Sequence, residues 1–169
     1  GTRIGLENAL EHNGMTVDWI DRCVARNRRV LVVNFDEARP EEDRRCWWSV
    51  YLGGGVWETH LRQPYDRPLS AWEPAWTELG GARAFMESLP FWEMEPHNEL
   101  LEDGHAFCLA KPGRFYGLYL PTGGSVTVNL LPGATYDAAW WDPANGRDGS
   151  LQNRTNLSGG ARRLAAPGG

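Results

Sequence analysis

Lysine is almost absent from this chain. Lys111 is the single lysine among 169 residues, the arginines are scattered, and the formal net charge is −5. Because nucleic acids are held by clustered Lys and Arg, this composition argues against a nucleic-acid partner. The content of 41% hydrophobic and 23% charged residues indicates a globular chain rather than a disordered one.

Cysteine and histidine are also sparse. Cys23, Cys46 and Cys108 have no metal-ligand spacing, and the four histidines form no HxxxH or HxH group, so neither a metal nor another cofactor is predicted. Cys23 and Cys46 fall inside helical patterns, which predicts buried thiols. No apolar run is long enough to cross a membrane, so no membrane partner is expected. The start of the chain, at Gly1, shows no signal peptide.

Tryptophan, by contrast, is plentiful, with nine residues. Flat aromatic faces cover the apolar faces of sugar rings, so this composition suits a carbohydrate ligand. Tryptophan also fills protein cores, and we expect that role for most of the nine.

The segment 29–37 (RVLVVNFDE) is a nearly continuous apolar run that ends in two carboxylates, Asp36 and Glu37. Such a run predicts a strand that is buried on both faces, inside a parallel sheet with helices on either side. Acids at the end of such a strand would lie where α/β folds carry catalytic groups. They could equally cap the next helix, and the segment alone leaves both interpretations open.

Helical patterns lie on both sides of this strand. A short helix is predicted over residues 4–11 with Gly14 at its end, and Thr16 is predicted to cap a second helix. Pro40 is suited to the first turn of a helix that the glycines 53–55 would end. The triple glycine has no phosphate-loop spacing and predicts a close backbone approach.

Further elements are predicted before residue 90. Residues 56–61 could form one more short strand. Ser70 and Glu73 have the spacing of a capping box for a helix that Pro90 would end. The apolar face predicted for this helix contains Trp72, Trp76, Leu79, Ala82, Met86 and Leu89.

After about Leu100, short apolar runs alternate with Pro/Gly turns, a pattern that predicts an antiparallel sandwich. The alternation of Val126, Val128 and Leu130 with polar residues predicts a half-buried strand. A domain boundary is expected between Leu89 and Gly104, and the polar, Gly-rich tail from residue 147 is less regular. The predicted strands are 105–110, 114–120, 125–130 and 135–141.

Three segments carry a family resemblance: LPFWEMEPHNELL, FCLAKPGRFYGLYLPTGGSVTVNL and AAWWDPANG. Together they resemble, over residues 89–146, the C-terminal part of a group of glycoside hydrolases. The sandwich in that group is labelled a collagen-binding domain of a collagenase. Upstream, VLVVNFDEARPEEDRRCWWSVYLGGGVWE resembles the end of the (β/α)8 barrel of the same proteins, over a shorter match.

The resemblance implies an α/β plus all-β protein. The last part of a (β/α)8 barrel would occupy residues 1–89, and an antiparallel β-sandwich without its last strand would occupy residues 90–169. An eight-stranded barrel needs ~250 residues, so most of the barrel would lie outside this chain. The expectation is therefore a fragment truncated at both ends.

The implied activity is glycoside hydrolysis of plant or microbial polysaccharide, outside the cell or in the periplasm. In retaining barrel glycosidases the nucleophile follows the seventh strand, which places Glu37 in that role, with Asp36 as the second choice. Asp36, Trp57 and Glu58 would contact the carbohydrate, while the general acid would lie outside this chain. The fragment alone is expected to be inactive, and its oligomeric state is not predicted.

Two other functions are weighed beside this one. The sandwich could be a non-catalytic collagen-binding or carbohydrate-binding module, which Trp140 or Trp141 exposed on one sheet face would favour. It could instead only buttress the barrel, and we prefer this, because the link 89–96 resembles a packed interface more than a flexible linker. Arg44 and Arg45 are expected on the surface or in salt bridges.

Overall fold

The computed structural model describes residues 6–25, 32–35, 40–59, 68–102, 105–148 and 152–167. Helices, a parallel strand pair and antiparallel sheets all occur in it, so the mixed α and β character expected from the sequence is confirmed. No helix in these ranges is long and apolar enough to span a membrane. The helices are α1 (Leu6–Ala25), α2 (Pro40–Leu52) and α3 (Glu73–Glu87), and the strands are β1 (Val32–Phe35), β2 (Val56–Thr59), β3 (Glu95–Pro96), β4 (Phe107–Lys111), β5 (Phe115–Tyr119), β6 (Ser125–Trp140) and β7 (Gln152–Ala165).

Strands β1 and β2 pair in parallel, and α2 connects them. Val32 lies opposite Val56, and Phe35 lies opposite Thr59. A strand, a helix and a second parallel strand form a βαβ unit. The parallel strand predicted in the apolar run is thus confirmed over its described residues, as are the short strand that follows and the helix beginning at Pro40.

Helix α2 is buried on nearly all sides over its second half. One side packs against β2 and the start of α3, in a cluster of Cys46, Trp47, Val50, Trp57 and Ala75. The other side packs against the end of α3 and the β4–β5 hairpin, in a cluster of Trp48, Leu52, Ala82, Met86, Met94, Phe107, Leu109 and Tyr119. A helix that is apolar all round must be enclosed by other elements, and α2 is.

Helix α1 is one continuous helix, so the prediction of two short helices is wrong. Thr16 does not cap a helix; its Oγ1 donates to the carbonyl of His12 within the helix. Asn13 is 2% exposed, and its Nδ2 donates to the Ser49 carbonyl at 2.8 Å. The Asn13 bond to α2 offsets the weak helix propensity of Gly14, which costs about 1 kcal/mol relative to Ala.

The close approach predicted at the triple glycine is confirmed. A Cβ on Gly53 would lie 3.0 Å from Thr16, and a Cβ on Gly55 would lie 2.8 Å from Thr16 Cγ2 and 3.0 Å from Val50 Cγ1. The turn after α2 therefore lets α1 pack directly against the backbone that leads into β2.

Helix α3 differs from its prediction at its start and on its face. Its N-cap is Trp72, with no side-chain capping bond, so the Ser70–Glu73 capping box does not form. Pro74 lies in the first turn, where its fixed φ and missing N–H favour a helix start. Trp76, predicted on the apolar face, is 41% exposed. The buried residues are Ala75, Glu78, Gly81, Ala82 and Met86.

The antiparallel part contains two sheets in the described ranges, β3–β4–β5 and β6–β7. Strand β6 runs through the predicted turn at 131–133, and β7 occupies the tail for which no strand was predicted. Glycines explain both differences. Gly133 has φ +85, Gly160 has φ +99, and a Cβ on Gly159 would lie 2.2 Å from the Leu131 carbonyl oxygen. The ladder thus bulges and continues where a turn was expected.

The alternation predicted in β6 is confirmed, because Val126, Val128 and Leu130 are all buried. An antiparallel bridge from Leu101 to Val128 connects this ribbon to the rest of the chain. The proposed boundary between Leu89 and Gly104 stays a prediction, and one hydrophobic cluster contains residues from both sides of it.

Two glycine substitutions test the α1–α2 contact. Gly55→Ala should destabilise the protein by about 1–3 kcal/mol, because the added methyl group overpacks against Thr16 and Val50. Gly14→Ala, where a Cβ meets nothing within 4 Å, should stabilise the protein by about 0.5–1 kcal/mol. Denaturant unfolding followed by circular dichroism measures both, and a neutral Gly55→Ala would show that the contact is loose.

Candidate functional site

The carboxyl ends of β1 and β2 meet at one edge of the parallel pair. Asp36 and Glu37 follow Phe35 in the chain and lie outside the described residues, so their roles stay predictions. Trp57 and Glu58, the other two predicted site residues, are described. Their Cα partners across the pair are Val33 and Asn34.

Trp57 lies in the core. It is 7% exposed, and its ring meets that of Trp47 edge to face, with centroids 6.2 Å apart. A sugar stacks on an exposed ring face, so this environment gives Trp57 a packing role within the described chain. Its predicted contact with substrate remains untested.

Glu58 is exposed and follows Trp57 directly, so the two side chains leave the strand on opposite faces. Its partner across the pair is Asn34, two residues before Asp36 in the chain. Of the two described residues among the four predicted site residues, Trp57 is buried and Glu58 is exposed.

Arg44, in the first half of α2, forms a bidentate ion pair with Glu78 of α3. Nε donates to Oε2 at 2.9 Å and Nη2 donates to Oε1 at 2.6 Å. The Glu78 side chain is 11% exposed and the Arg44 side chain 27%. The hydrogen bonds to Glu78 raise the pKa of Arg44. The expectation of a salt bridge at Arg44 is confirmed, so its guanidinium is engaged by α3.

Arg45 connects α2 to the β sheets. Its Nε donates to the Pro121 carbonyl at 3.0 Å, just after β5.

Tyr119, at the end of β5, stacks on Trp48 with ring centroids 5.5 Å apart. Burial raises the pKa of Tyr119 further than the two arginines lower it. The phenol therefore stays protonated at neutral pH and does not act as a general base there.

Buried amides form a second polar connection. Asn98 Nδ2 donates to Asn13 Oδ1 at 2.7 Å, and Asn98 Oδ1 accepts from the Cys108 amide at 2.9 Å. Because Asn13 also donates to Ser49, this chain of bonds joins α1 and α2 to β4. Asn98 therefore contacts both α1 and β4, whereas Trp92 and Glu93, in the link 89–96 where a packed interface was expected, are exposed.

Two other groups of candidate residues do not form a site. Trp141 is only partly exposed and packs against Phe85, with ring centroids 5.9 Å apart, so it does not form an open platform with Trp140. Within the described ranges, no group of three or more His, Cys, Asp and Glu side chains could hold a metal ion.

Sequence reasoning missed Glu78 and the pairing of Asn13 with Asn98. One signal was present for Glu78, an acid three residues after Ala75 and four before Ala82, inside what proved to be the buried stripe. An acid in that position requires a cationic partner. No comparable local pattern pairs two asparagines 85 residues apart.

Comparison with known proteins finds no protein family whose model matches this chain. No curated protein matches it either. Function therefore has to be inferred from the residues and their geometry.

The Arg44–Glu78 pair can be tested against an exposed ion pair on the same helix. Glu78→Gln should destabilise the protein by about 1–3 kcal/mol, because it leaves a partly buried guanidinium without its counter-charge. Glu87→Gln removes the carboxylate charge from the Arg83–Glu87 pair, whose side chains are 72% and 55% exposed. It should lower the free energy of unfolding by less than ~0.5 kcal/mol. Equal effects in thermal unfolding of the two variants would show that the Arg44 pair is no more than a surface contact.

Cys108 provides a probe of core opening. It is a buried thiol, as is Cys46, and burial raises the pKa of Cys108 to about 12 from 9.0. The thiolate fraction is therefore about 10³-fold below that of an exposed thiol. Iodoacetamide labelling at pH 8, read by peptide mass spectrometry, should be at least that much slower in the native protein than in denaturant. Similar rates in the two states would contradict a closed core around β4.

Proposed function

We propose that this chain is the C-terminal part of a glycoside hydrolase, with Glu37 as nucleophile and the general acid outside the chain. The observation that supports this most is the β1–α2–β2 unit, in which the two candidate carboxylates follow the first of two parallel strands. Repeated βαβ units build (β/α)8 barrels, whose catalytic groups follow the strands at the carboxyl-terminal edge.

The small size of the parallel sheet is consistent with a larger barrel. Within the described residues this sheet has two paired strands of four residues each, and parallel sheets are normally covered on both faces. Val56, the first residue of β2, is 51% exposed. In the proposed parent protein, further barrel strands and helices would cover such surface.

Packing supports the view that the β-rich part buttresses the barrel. Trp48 and Leu52 of α2 share a core with Phe107 and Leu109 of β4. The Asn13–Asn98 bond and the Arg45–Pro121 bond add polar connections between the same two parts. Helix α2 begins three residues after Glu37, so this packing fixes the element that follows the candidate nucleophile.

A retaining mechanism gives each residue a defined task. Glu37 would attack the anomeric carbon and form a glycosyl–enzyme ester, while an acid ~5–5.5 Å away protonates the departing oxygen. Water would then release the sugar, with the same acid acting as base. The partner acid is proposed to lie outside this chain, and Glu58 is the candidate for binding a substrate hydroxyl.

The decisive experiment uses the complete polypeptide encoded by the reading frame that contains this chain. We expect a barrel with a carboxylate after its fourth strand and measurable hydrolysis of aryl glycosides. Glu37→Gln should lower kcat by on the order of 10³-fold or more. In Glu37→Ala, azide should restore turnover and give a glycosyl azide, because a small anion can replace the missing nucleophile.

Two matched controls sharpen this test. Asp36→Asn and Glu58→Gln should each raise KM more than they lower kcat, as expected for groups that bind the carbohydrate. The chain alone should hydrolyse no aryl glycoside. Hydrolysis by the chain alone that is lost in Glu37→Gln would overturn the assignment of the general acid, and full activity of Glu37→Gln in the complete protein would overturn the nucleophile.

A further inference from the structure

Two exposed aromatic rings lie in the short turn between α3 and β3. Phe91 is 41% exposed and Trp92 is 62% exposed. Their rings meet edge to face with centroids 5.4 Å apart. A third ring, that of Phe115 at the start of β5, is 37% exposed.

An ion pair joins the segment that carries Phe91 and Trp92 to the β4–β5 hairpin that carries Phe115. Glu93, next to Trp92, pairs with Lys111 at the end of β4, and Lys111 lies directly opposite Phe115 across the β4–β5 ladder. The hydrogen bond from Lys111 lowers the pKa of Glu93, with smaller contributions from Arg114 and the Trp92 indole. Phe91, Trp92, Glu93, Lys111 and Phe115 are called the Trp92 surface below.

We propose that the Trp92 surface binds a neutral polysaccharide chain. Sugar rings have apolar C–H faces that pack on aromatic rings, and their hydroxyl groups both donate and accept hydrogen bonds at the rim. The surface offers both, because the exposed rings stand beside a half-exposed carboxylate and a half-exposed ammonium group.

The charges favour a neutral ligand. Glu93 and Lys111 compensate each other, and Arg114 adds one positive charge near Glu93. A single cation is a weak attraction for a phosphorylated or strongly anionic chain. The acceptor and the donor stay 45% and 35% exposed within the pair. Hydroxyl groups can thus reach both side chains while the ion pair stays intact. Binding a charged group would require the pair to separate.

This inference goes beyond the proposed function, because it does not depend on Glu37 or on catalysis. The Trp92 surface belongs to the turn before β3 and to the β4–β5 hairpin, whereas the candidate nucleophile follows β1. A polysaccharide held here would be anchored to the β-rich part whether or not it is cleaved elsewhere.

Native affinity electrophoresis of this chain tests the proposal, with hydroxyethylcellulose, arabinoxylan or galactomannan in the gel. The wild-type chain should be retarded by at least one of these neutral polymers, and polygalacturonate should retard it less. Trp92→Ala should weaken the apparent affinity at least ~10-fold, because it removes the more exposed of the two adjoining rings. Lys111→Met, which keeps the apolar stem, should weaken it by a smaller factor.

Trp76→Ala is the matched control. Trp76 is also an exposed tryptophan, but it lies eleven residues before the end of α3, about 16 Å along the helix axis. Its variant should be retarded like the wild type. Circular dichroism and thermal unfolding establish that each variant is folded, and Lys111→Met retains a test of the surface if Trp92→Ala does not fold.

The remaining outcomes overturn the proposal. They are no retardation of the wild type by any neutral polymer, equal retardation of wild type and Trp92→Ala, or equal loss in Trp76→Ala. Sedimentation that shows self-association abolished by Trp92→Ala, without polymer binding, would reassign the surface to contact between copies of the chain. Loss of binding here with intact Glu37-dependent hydrolysis in the complete protein would refute this inference while leaving the proposed function standing.

Discussion

The enclosure of α2 is the constraint on which the rest of the described structure depends. Cys46, Trp47, Ser49, Val50 and Leu52 are fully buried, and Trp48 is nearly so. Each large apolar side chain buried in this way contributes about 1.5–3 kcal/mol, but only if neighbours cover every side of the helix. Helix α1, strand β2, helix α3 and the β4–β5 hairpin supply that cover. Removing any one of them would expose part of a helix that has little polar surface in its second half.

Polar contacts determine how these elements are oriented around α2. Hydrophobic burial is not directional, whereas a buried amide or carboxylate is costly unless a specific partner meets it. Asn13 meets Ser49 and Asn98, and Glu78 meets Arg44 with both carboxylate oxygens. Each contact joins segments that are more than thirty residues apart, so together they fix the relative positions of α1, α3 and β4 around the same helix.

The proposed chemistry and the proposed binding surface draw on different parts of this arrangement. The candidate nucleophile belongs to the edge of the parallel pair, where Glu58 is open to solvent and Trp57 is held in the core. The Trp92 surface belongs to the β-rich part, which shares its core with α2. In the protein we propose, the packing around α2 would hold the catalytic edge and the Trp92 surface at a fixed separation.

The sequence alone determined those features that depend on local pattern. The apolar run before Asp36 predicted a parallel strand, Pro40 marked the start of α2, the triple glycine marked a close approach, and the alternation from Val126 to Leu130 predicted a half-buried strand. Tertiary structure decided the rest, because the deciding contacts are distant in the chain. Gly14 stays helical because Asn13 reaches Ser49, β6 continues past Pro132 because Gly159 admits the Leu131 carbonyl, and the polar segment of β7 becomes a strand because β6 offers it a ladder. Local propensities of about 1 kcal/mol cannot oppose such contacts, so pattern identifies the elements and tertiary contacts set where they end.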